Sequence, residues 1–243
     1  MNDAFLLFFK GLARHAPSTE EATLRALASC QPRPDAPQIA DMGCGTGASA
    51  LVLLDALPDA ALLAVDPIEQ SLQTLQERAE RRETSDRLTT LAGDALALSQ
   101  GPFDIIWAEG SIYAMGWDKA LQAWQQNLQD GGFIVVSDAV WTADRIPNMA
   151  KRYWGAEYPD MTTASARIAQ VQDLGWTVVE DFEMPREGWD LYYGPLEQRV
   201  ALLENKGRPS GSMRAVVDEV SKEIAMYRTL GHTWNYHFFV LQR

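Results

Sequence analysis

The sequence predicts an α/β protein built on a central, mostly parallel seven-stranded sheet, with helices on both faces and a helical insertion between the last two strands. Three observations carry this. Candidate strands and helices alternate from about Gln38 to Val140, the pattern that yields a parallel sheet covered on both sides. The first strand runs straight into a glycine-rich turn, Gly43-Cys-Gly-Thr-Gly47. Roughly fifty residues separate the final two strand candidates, far more than a hairpin requires.

The elements follow in order. Ala4 to Phe9 is an apolar run preceded by Asp3 instead of basic residues. It is too short for a signal sequence or a membrane span and is expected as a helix packed on the body or closing over a pocket. Ser18-Thr-Glu-Glu21 reads as a capping box opening a second helix. Strand one is Gln38 to Met42, with a helix starting near Thr46. Ala61 to Val65 is strand two, and Ile68, Leu72, Leu75 and Ala79 form the core-facing stripe of the next helix. Leu88 to Ala92, Phe103 to Trp107 and Phe133 to Ser137 supply strands three to five, and Leu121, Trp124 and Leu128 mark a helix between the last two. Helical patterns follow around Met149 to Gly155 and Thr162 to Leu174. Trp176 to Phe182 and Asn235 to Leu241 are the closing strands. The insertion between them carries Val217, Val220, Ile224 and Tyr227 at helical spacing and is broken at Gly207 to Gly211.

Composition narrows the function. The chain has 243 residues, 47% hydrophobic and 22% charged, ordinary for a folded protein. We read residues 1–243 as one domain, with a helical N-terminal lid over 1–30, a ligand-binding core over 38–141 and the insertion over 185–232. A net charge of -12, from 33 acidic against 21 basic residues, repels phosphate backbones and anionic membranes. Nucleic acid and membrane are therefore not expected as partners. Two cysteines, one of them inside the glycine turn, suit a reducing cytoplasm. His232 and His237 share no metal-ligand spacing with another His or Cys, and no metal is expected.

The glycine turn between a strand and a helix suits a ligand. Glycines admit a tight turn and close approach, and the helix start presents free N–H groups and a positive dipole end. Gly43, Gly45 and Ala48 also satisfy the dinucleotide pattern G-x-G-x-x-A, with Asp66 at ribose distance. Asp41, two residues ahead of the turn, would repel a pyrophosphate and suits an ammonium group. Asp94, in Ala92-Gly-Asp-Ala95, ends the third strand.

On these residues the chain resembles the class I S-adenosylmethionine-dependent methyltransferases, a Rossmann-like fold. The resemblance rests on Asp41-Met-Gly-Cys-Gly-Thr-Gly47, Val65-Asp-Pro67, Gly93-Asp-Ala95, Phe103-Asp-Ile-Ile-Trp-Ala-Glu-Gly110 and Gly131-Gly132. It implies a cofactor site of Asp41, Gly43, Cys44, Gly45, Gly47, Asp66, Pro67, Gly93, Asp94, Ala95, Glu109 and Gly110. In that site Asp41 and the glycines hold the methionine end, Asp66 the ribose hydroxyls and Asp94 the adenine amino group, while Glu109-Gly110 lies near the sulfonium. S-adenosyl-L-homocysteine is the implied product. The chain also resembles a bacterial subgroup with Trp-x-Glu-Gly after strand four, here Trp107-Ala-Glu-Gly110. That subgroup carries Ser137-Asp-Ala-Val-Trp141 and Tyr158-Pro159 here as well, its acceptor is unassigned, and it implies that Arg14 to Thr19 belongs to a lid.

Plainer roles stand beside these. Asp66-Pro67 and Asp94 are good helix or turn caps, and the capping and ligand roles are compatible. Glu109, His15 and Tyr113 are candidate proton acceptors, and none is singled out. Most of the aromatic residues pack the core, while Tyr113, Trp141, Tyr192 and Tyr193 are candidates for an acceptor pocket. Ala108-Glu-Gly-Ser111 stands where base-amino methyltransferases carry an Asn-Pro-Pro-Tyr type motif, so a small-molecule acceptor is favoured over nucleic acid, with a protein substrate left open. A nicotinamide oxidoreductase and an inert cofactor-binding module are the competing readings. The oligomeric state is open, a homodimer being one option.

Overall fold

A computed structural model of the protein describes residues 3–207 and 209–243. Two residues of the predicted lid, Met1 and Asn2, and Arg208 within the predicted break lie outside the described residues. The elements are α1 (Asp3–Phe9), α2 (Glu20–Ser29), β1 (Gln38–Met42), α3 (Ala48–Ala56), β2 (Ala61–Asp66), α4 (Glu69–Arg81), β3 (Leu88–Ala92) and β4 (Phe103–Glu109). They continue as α5 (Ile112–Met115), α6 (Trp117–Gln125), β5 (Leu128–Trp141), α7 (Asn148–Glu157), β6 (Thr162–Thr163) and α8 (Ala164–Asp173). The last are β7 (Thr177–Glu183), α9 (Glu187–Asn205), α10 (Gly211–Leu230) and β8 (Trp234–Gln242).

The sheet runs β3-β2-β1-β4-β5-β8-β7, with β6 paired to β5 off this path. All pairings are parallel except those of β8, which is antiparallel to both neighbours. Side chains alternate between the faces, as strand geometry requires. Ile39, Ile105, Trp107, Phe133 and Val135 enter the core beneath α2, α3, α9 and α10. Their neighbours Ala40, Ile106, Ala108, Ile134 and Val136 enter the opposite core with Trp117 and Trp124 of α6. Burial on both faces explains why these strands read as continuous apolar runs.

Several expectations need correction. The short β6 makes the sheet eight-stranded: its two threonines begin the stretch read as a helix, and helix α8 starts only after Thr163, whose hydroxyl caps Ala166 N–H at 3.2 Å. Leu128 is not the end of a helical stripe but the first residue of β5, because α6 stops at Gln125. Strand β5 is far longer than Phe133 to Ser137, since its first residues are mostly exposed and carry no apolar alternation. The cap of α2 is Thr19, not Ser18: Thr19 Oγ1 accepts from Ala22 N–H at 3.0 Å, while the Ser18 hydroxyl turns to the Thr19 carbonyl. Helix α3 starts at Ala48, with Gly47 as a left-handed N-cap.

The Trp107, Ser137 and Tyr158 motif residues have structural work in this frame. Trp107 Nε1 donates to Glu109 Oε2 at 3.0 Å, and Gly110 N–H donates to Ser137 Oγ at 2.8 Å, which ties the ends of β4 and β5. Tyr158 donates to Asp138 Oδ2 at 3.1 Å, and Arg167 Nε donates to the same oxygen at 2.9 Å. Burial pushes the Asp138 carboxyl up to about 6, with Arg167 as the largest opposing influence.

Candidate active site

The strand order reverses between β1 and β4, and in open α/β sheets a ligand crevice forms outside the strand ends at such a point. A cavity of about 720 Å³ lies there, toward the upper part of the usual range of about 300–1,000 Å³ for small-molecule sites. Its floor is the turn after β1. Gly43 and Cys44 N–H both donate to Val65 O, at 2.8 and 3.1 Å, so the turn is pinned to β2. A Cβ on Gly43 would lie 2.6 Å from Ser111 Cβ, and one on Gly47 would lie 2.1 Å from Leu75 Cδ1. Packing therefore demands those two glycines. Gly45 differs: at φ +54 a Cβ there would meet nothing nearer than His15 Cβ at 4.0 Å, and its bare backbone faces the cavity.

Acidic groups stand at successive strand ends. Asp66 closes β2 and accepts from Gly45 N–H and Ile68 N–H, each at 2.9 Å. The Ile68 bond is the expected cap, and the Gly45 bond ties the carboxylate to the turn. Burial raises the Asp66 pKa, opposed by these two N–H groups. Asp94 caps the turn after β3 by accepting from Leu96 N–H at 2.9 Å, and it is exposed. Glu109 ends β4 and is held by Thr23 Oγ1 at 2.9 Å, by Trp107 Nε1 at 3.0 Å and by Arg14 Nη1 at 3.8 Å. Three donors occupy its oxygens, so it acts as an anchor for the N-terminal segment and is poorly placed to accept a proton.

Asp41 is the least comfortable group. It is 1% exposed, Oδ2 accepts from Ser49 Oγ at 2.9 Å, and Oδ1 is buried with no hydrogen-bond partner among the described residues. Burial, reinforced by the charges of Glu109 and Asp66, pushes its carboxyl up to about 7. Burial with Asp41 and Asp66 nearby also raises the Cys44 thiol, leaving it a neutral wall.

The roof is the N-terminal segment. Phe5 and Phe9 of α1 and Arg14 to Ser18 line the cavity. Gly110, at φ +70, has Ala16 so close that a Cβ would sit 2.6 Å from it. Arg78 of α4 donates to Ala13 O at 3.0 Å and Thr46 O at 2.7 Å, joining roof to floor. Helix α2 belongs to the body, with Ala22, Ala26 and Leu27 buried. Burial lowers the pKa of His15, and its Nε2 is buried with no hydrogen-bond partner among the described residues.

The far wall comes from α5, α7 and the insertion. Tyr113, Tyr153, Trp154, Trp189, Tyr192 and Tyr193 line it, with rings in mutual contact: Trp189 lies 5.1 Å from Tyr236 and Tyr192 lies 4.9 Å from Tyr193, centroid to centroid. Burial pushes the pKa values of Tyr192, Tyr193 and Tyr236 far up, so their hydroxyls stay protonated at neutral pH.

Of the residues singled out in the sequence, Gly43, Cys44, Gly45, Asp66, Pro67, Gly93, Asp94, Ala95, Glu109 and Gly110 line this one cavity, as do His15, Tyr113, Tyr192 and Tyr193. Asp41, Gly47 and Trp141 do not. Asp41 is buried beneath the turn, Gly47 packs on Leu75, and Trp141 ends β5 opposite Trp234. Trp189, one of the aromatic residues outside the core strands, also lines the cavity, as do Glu157, Glu219, Glu223 and Tyr236; nothing local in the sequence marked these last four. Among the described residues no group of three or more His, Cys, Asp or Glu is placed to hold a metal ion, and no helix is long and apolar enough to cross a membrane.

A family model described as a methyltransferase domain matches residues 39–132. The Escherichia coli K12 protein YjhP is 28% identical over 187 residues, spanning 73% of this chain and 72% of that protein. The human MTRF1L release factor glutamine methyltransferase is 35% identical over 79 residues, 30% of this chain and 23% of that protein. The match spans under a third of the release factor glutamine methyltransferases. Among solved structures, a Geobacter sulfurreducens S-adenosylmethionine-dependent methyltransferase in complex with S-adenosyl-L-homocysteine superposes with a TM-score of 0.86 at 20% identity, covering 100% of this chain and 99% of that one. The YjhP structure gives 0.84 at 22% identity, covering 100% of both chains. These likenesses establish the Rossmann-like methyltransferase fold.

Proposed function

We propose, from the premise that the chain carries an S-adenosylmethionine-dependent methyltransferase domain on that fold, that it transfers a methyl group to a small molecule held in the cavity between the glycine turn and the insertion. One observation carries this reading: Gly45, Asp66 and Asp94 come from three successive strand ends and face one cavity whose far wall is aromatic.

The residues fit the cofactor. Each Asp66 oxygen accepts one backbone N–H and keeps a lone pair for a ribose hydroxyl. Asp94 has an oxygen free of the Leu96 bond for an adenine amino group. The unpaired Asp41 Oδ1 is a buried acceptor beside the turn, suited to an ammonium group, and the start of α3 suits a carboxylate.

When bound, S-adenosylmethionine supplies a methyl group on a sulfonium: the acceptor's lone pair forms the new bond to carbon while the S–C pair returns to sulfur, leaving a neutral thioether. The chain's part is placement. Holding the acceptor atom in line at roughly 3–3.5 Å accounts for much of such a rate enhancement. Phe5, Phe9 and Ala16 form an apolar roof over the site. The far-wall tyrosines, held protonated, orient the acceptor by hydrogen bonds and cannot remove its proton. His15, kept neutral by burial, is the better base for an N–H or O–H acceptor. The size of the cavity and the charge of -12 favour a small acceptor over nucleic acid.

Thermal unfolding with S-adenosylhomocysteine or NADH tests this. At about 100 times its dissociation constant a ligand stabilises by about 2.7 kcal/mol, a rise of roughly 5–10 °C for a chain of this size. S-adenosylhomocysteine is expected to give that rise and NADH none. The reverse would make the protein a nicotinamide-binding oxidoreductase. Tight binding without formation of S-adenosylhomocysteine across an acceptor panel would make it an inert module.

A further inference from the structure

The cavity carries a charge pattern that cofactor binding does not use. Glu157 of α7 and Glu219 of α10 are exposed at its margin, and Glu223, one turn further along α10, is partly buried. Among the described residues the basic side chains lining the cavity are Arg14 and His15, and burial holds His15 neutral. Both belong to the roof beside the cofactor half, and Arg14 is paired with Glu109 at 3.8 Å. No lysine or arginine faces the three glutamates from α5, α7, α9, α10 or β8 within this lining.

The polar groups here are also incompletely used. Glu223 Oε1 accepts from the Tyr193 hydroxyl at 2.9 Å, and Oε2 has no donor among the described residues. Tyr236 is 5% exposed and Tyr192 is 9% exposed, and neither hydroxyl makes a hydrogen bond among the described residues. Tyr236 Oη lies 3.9 Å from where a Cβ on Gly110 would stand, so it points at the junction between the cofactor end of β4 and this chamber. Burial raises the Glu223 pKa, and the neighbouring charges of Glu157 and Glu219 raise it further. A carboxylate held in such company is uncomfortable until a cation joins it.

We propose that the methyl acceptor carries a positively charged nitrogen, a protonated amine or a quaternary ammonium, seated in this chamber against Glu223 and the surrounding aromatic rings. The proposal rests on the methyltransferase reading for the word acceptor; the cation site itself does not. Aromatic faces attract a cation through their quadrupoles, and Trp and Tyr do so best when water is excluded. The exposed glutamates at the margin concentrate cations at the mouth. A carboxylate or phosphate on the acceptor would meet three like charges with no counterion. A wholly apolar acceptor would seal Glu223 away from water with one oxygen unpaired.

Three probes of nearly one shape and different charge test it: choline, its neutral isostere 3,3-dimethylbutan-1-ol, and 3,3-dimethylbutanoate. Binding is measured by quenching of tryptophan fluorescence, since Trp154 and Trp189 line the cavity, with and without saturating S-adenosylhomocysteine. Choline is expected to bind at least about tenfold more tightly than the alcohol, with the anion weakest. Glu223→Gln, which keeps an acceptor for Tyr193, should remove most of choline's advantage. Equal affinities, a preference for the anion, or no measurable choline binding overturns the proposal on the unaltered protein, whatever the variant's fold. Loss of S-adenosylhomocysteine binding with the choline ranking intact would instead sink the methyltransferase reading and leave the cation site standing.

Discussion

Asp66→Ala is expected to weaken S-adenosylhomocysteine binding by at least about a hundredfold, because it removes charge-assisted hydrogen bonds to two ribose hydroxyls at about 1.5–3 kcal/mol each. It also strips the acceptor from Gly45 N–H and Ile68 N–H, loosening the turn that carries the methionine end. Asp66 sits at a strand end on the cavity wall and not inside either core, so the circular dichroism spectrum should be retained. Asp66→Asn keeps one acceptor oxygen and should fall between the two. Calorimetric titration of the three proteins checks this, and an unchanged affinity for Asp66→Ala would remove the residue from the site.

Asp41→Asn is expected to raise the stability of the ligand-free protein at alkaline pH relative to the unaltered chain. The Asp41 carboxyl titrates near 7 when folded against about 3.9 when unfolded. The folded state therefore holds a proton that the unfolded state has lost. The stability this provides is fully present below about pH 4 and disappears as pH rises through about 7, at up to about 1.4 kcal/mol per unit. Asparagine cannot ionise, so the variant's advantage should grow across pH 4–7 and level off above it. Its amide N–H groups add a roughly constant offset from the vacant partner at Oδ1, so the slope of the difference is the informative quantity. A pH-independent difference in melting temperature would show that Asp41 is not charged at the expense of the fold. The same variant is expected to bind S-adenosylhomocysteine less tightly, since it removes a negative charge buried beneath the turn on the side proposed for the ligand's ammonium. Asp41 is thus read as a residue that costs stability and serves binding.

The central strands were readable because they are buried on both faces: Ile39, Ala40 and Met42 in β1 and Phe133 to Val136 in β5 have no exposed position, and Asp41 is the one polar residue in these stretches. The cofactor half was readable for a related reason. Its residues sit at strand ends next to the runs that define the strands, so finding Ala61 to Val65 finds Asp66. The two-residue β6 left no trace, as two threonines carry no periodicity. Leu128 misled because a leucine four residues after Trp124 fits a helix as well as a strand start.

The far wall was only half legible. Val217 and Val220 announced the buried face of α10, but Glu219 and Glu223 lie on its flank, where acidic residues ordinarily mean a solvated surface. Their meaning depends on Tyr193, 30 positions away, whose hydroxyl reaches Glu223. The Asp138–Arg167 pair, 29 positions apart, was hidden in the same way: a single Arg and a single Asp on separate elements form no local pattern, and only the fold brings them within 2.9 Å.

In the proposed complex one molecule spans the ends of β1, β2 and β3, with its reactive end toward Gly110. A crystal structure of the protein with S-adenosylhomocysteine tests it most directly. The expected density places the ribose diol on the Asp66 carboxylate, the adenine beside Asp94, and the sulfur facing the aromatic far wall. Density for the ligand elsewhere, or a cavity that stays empty at saturating ligand, would contradict it.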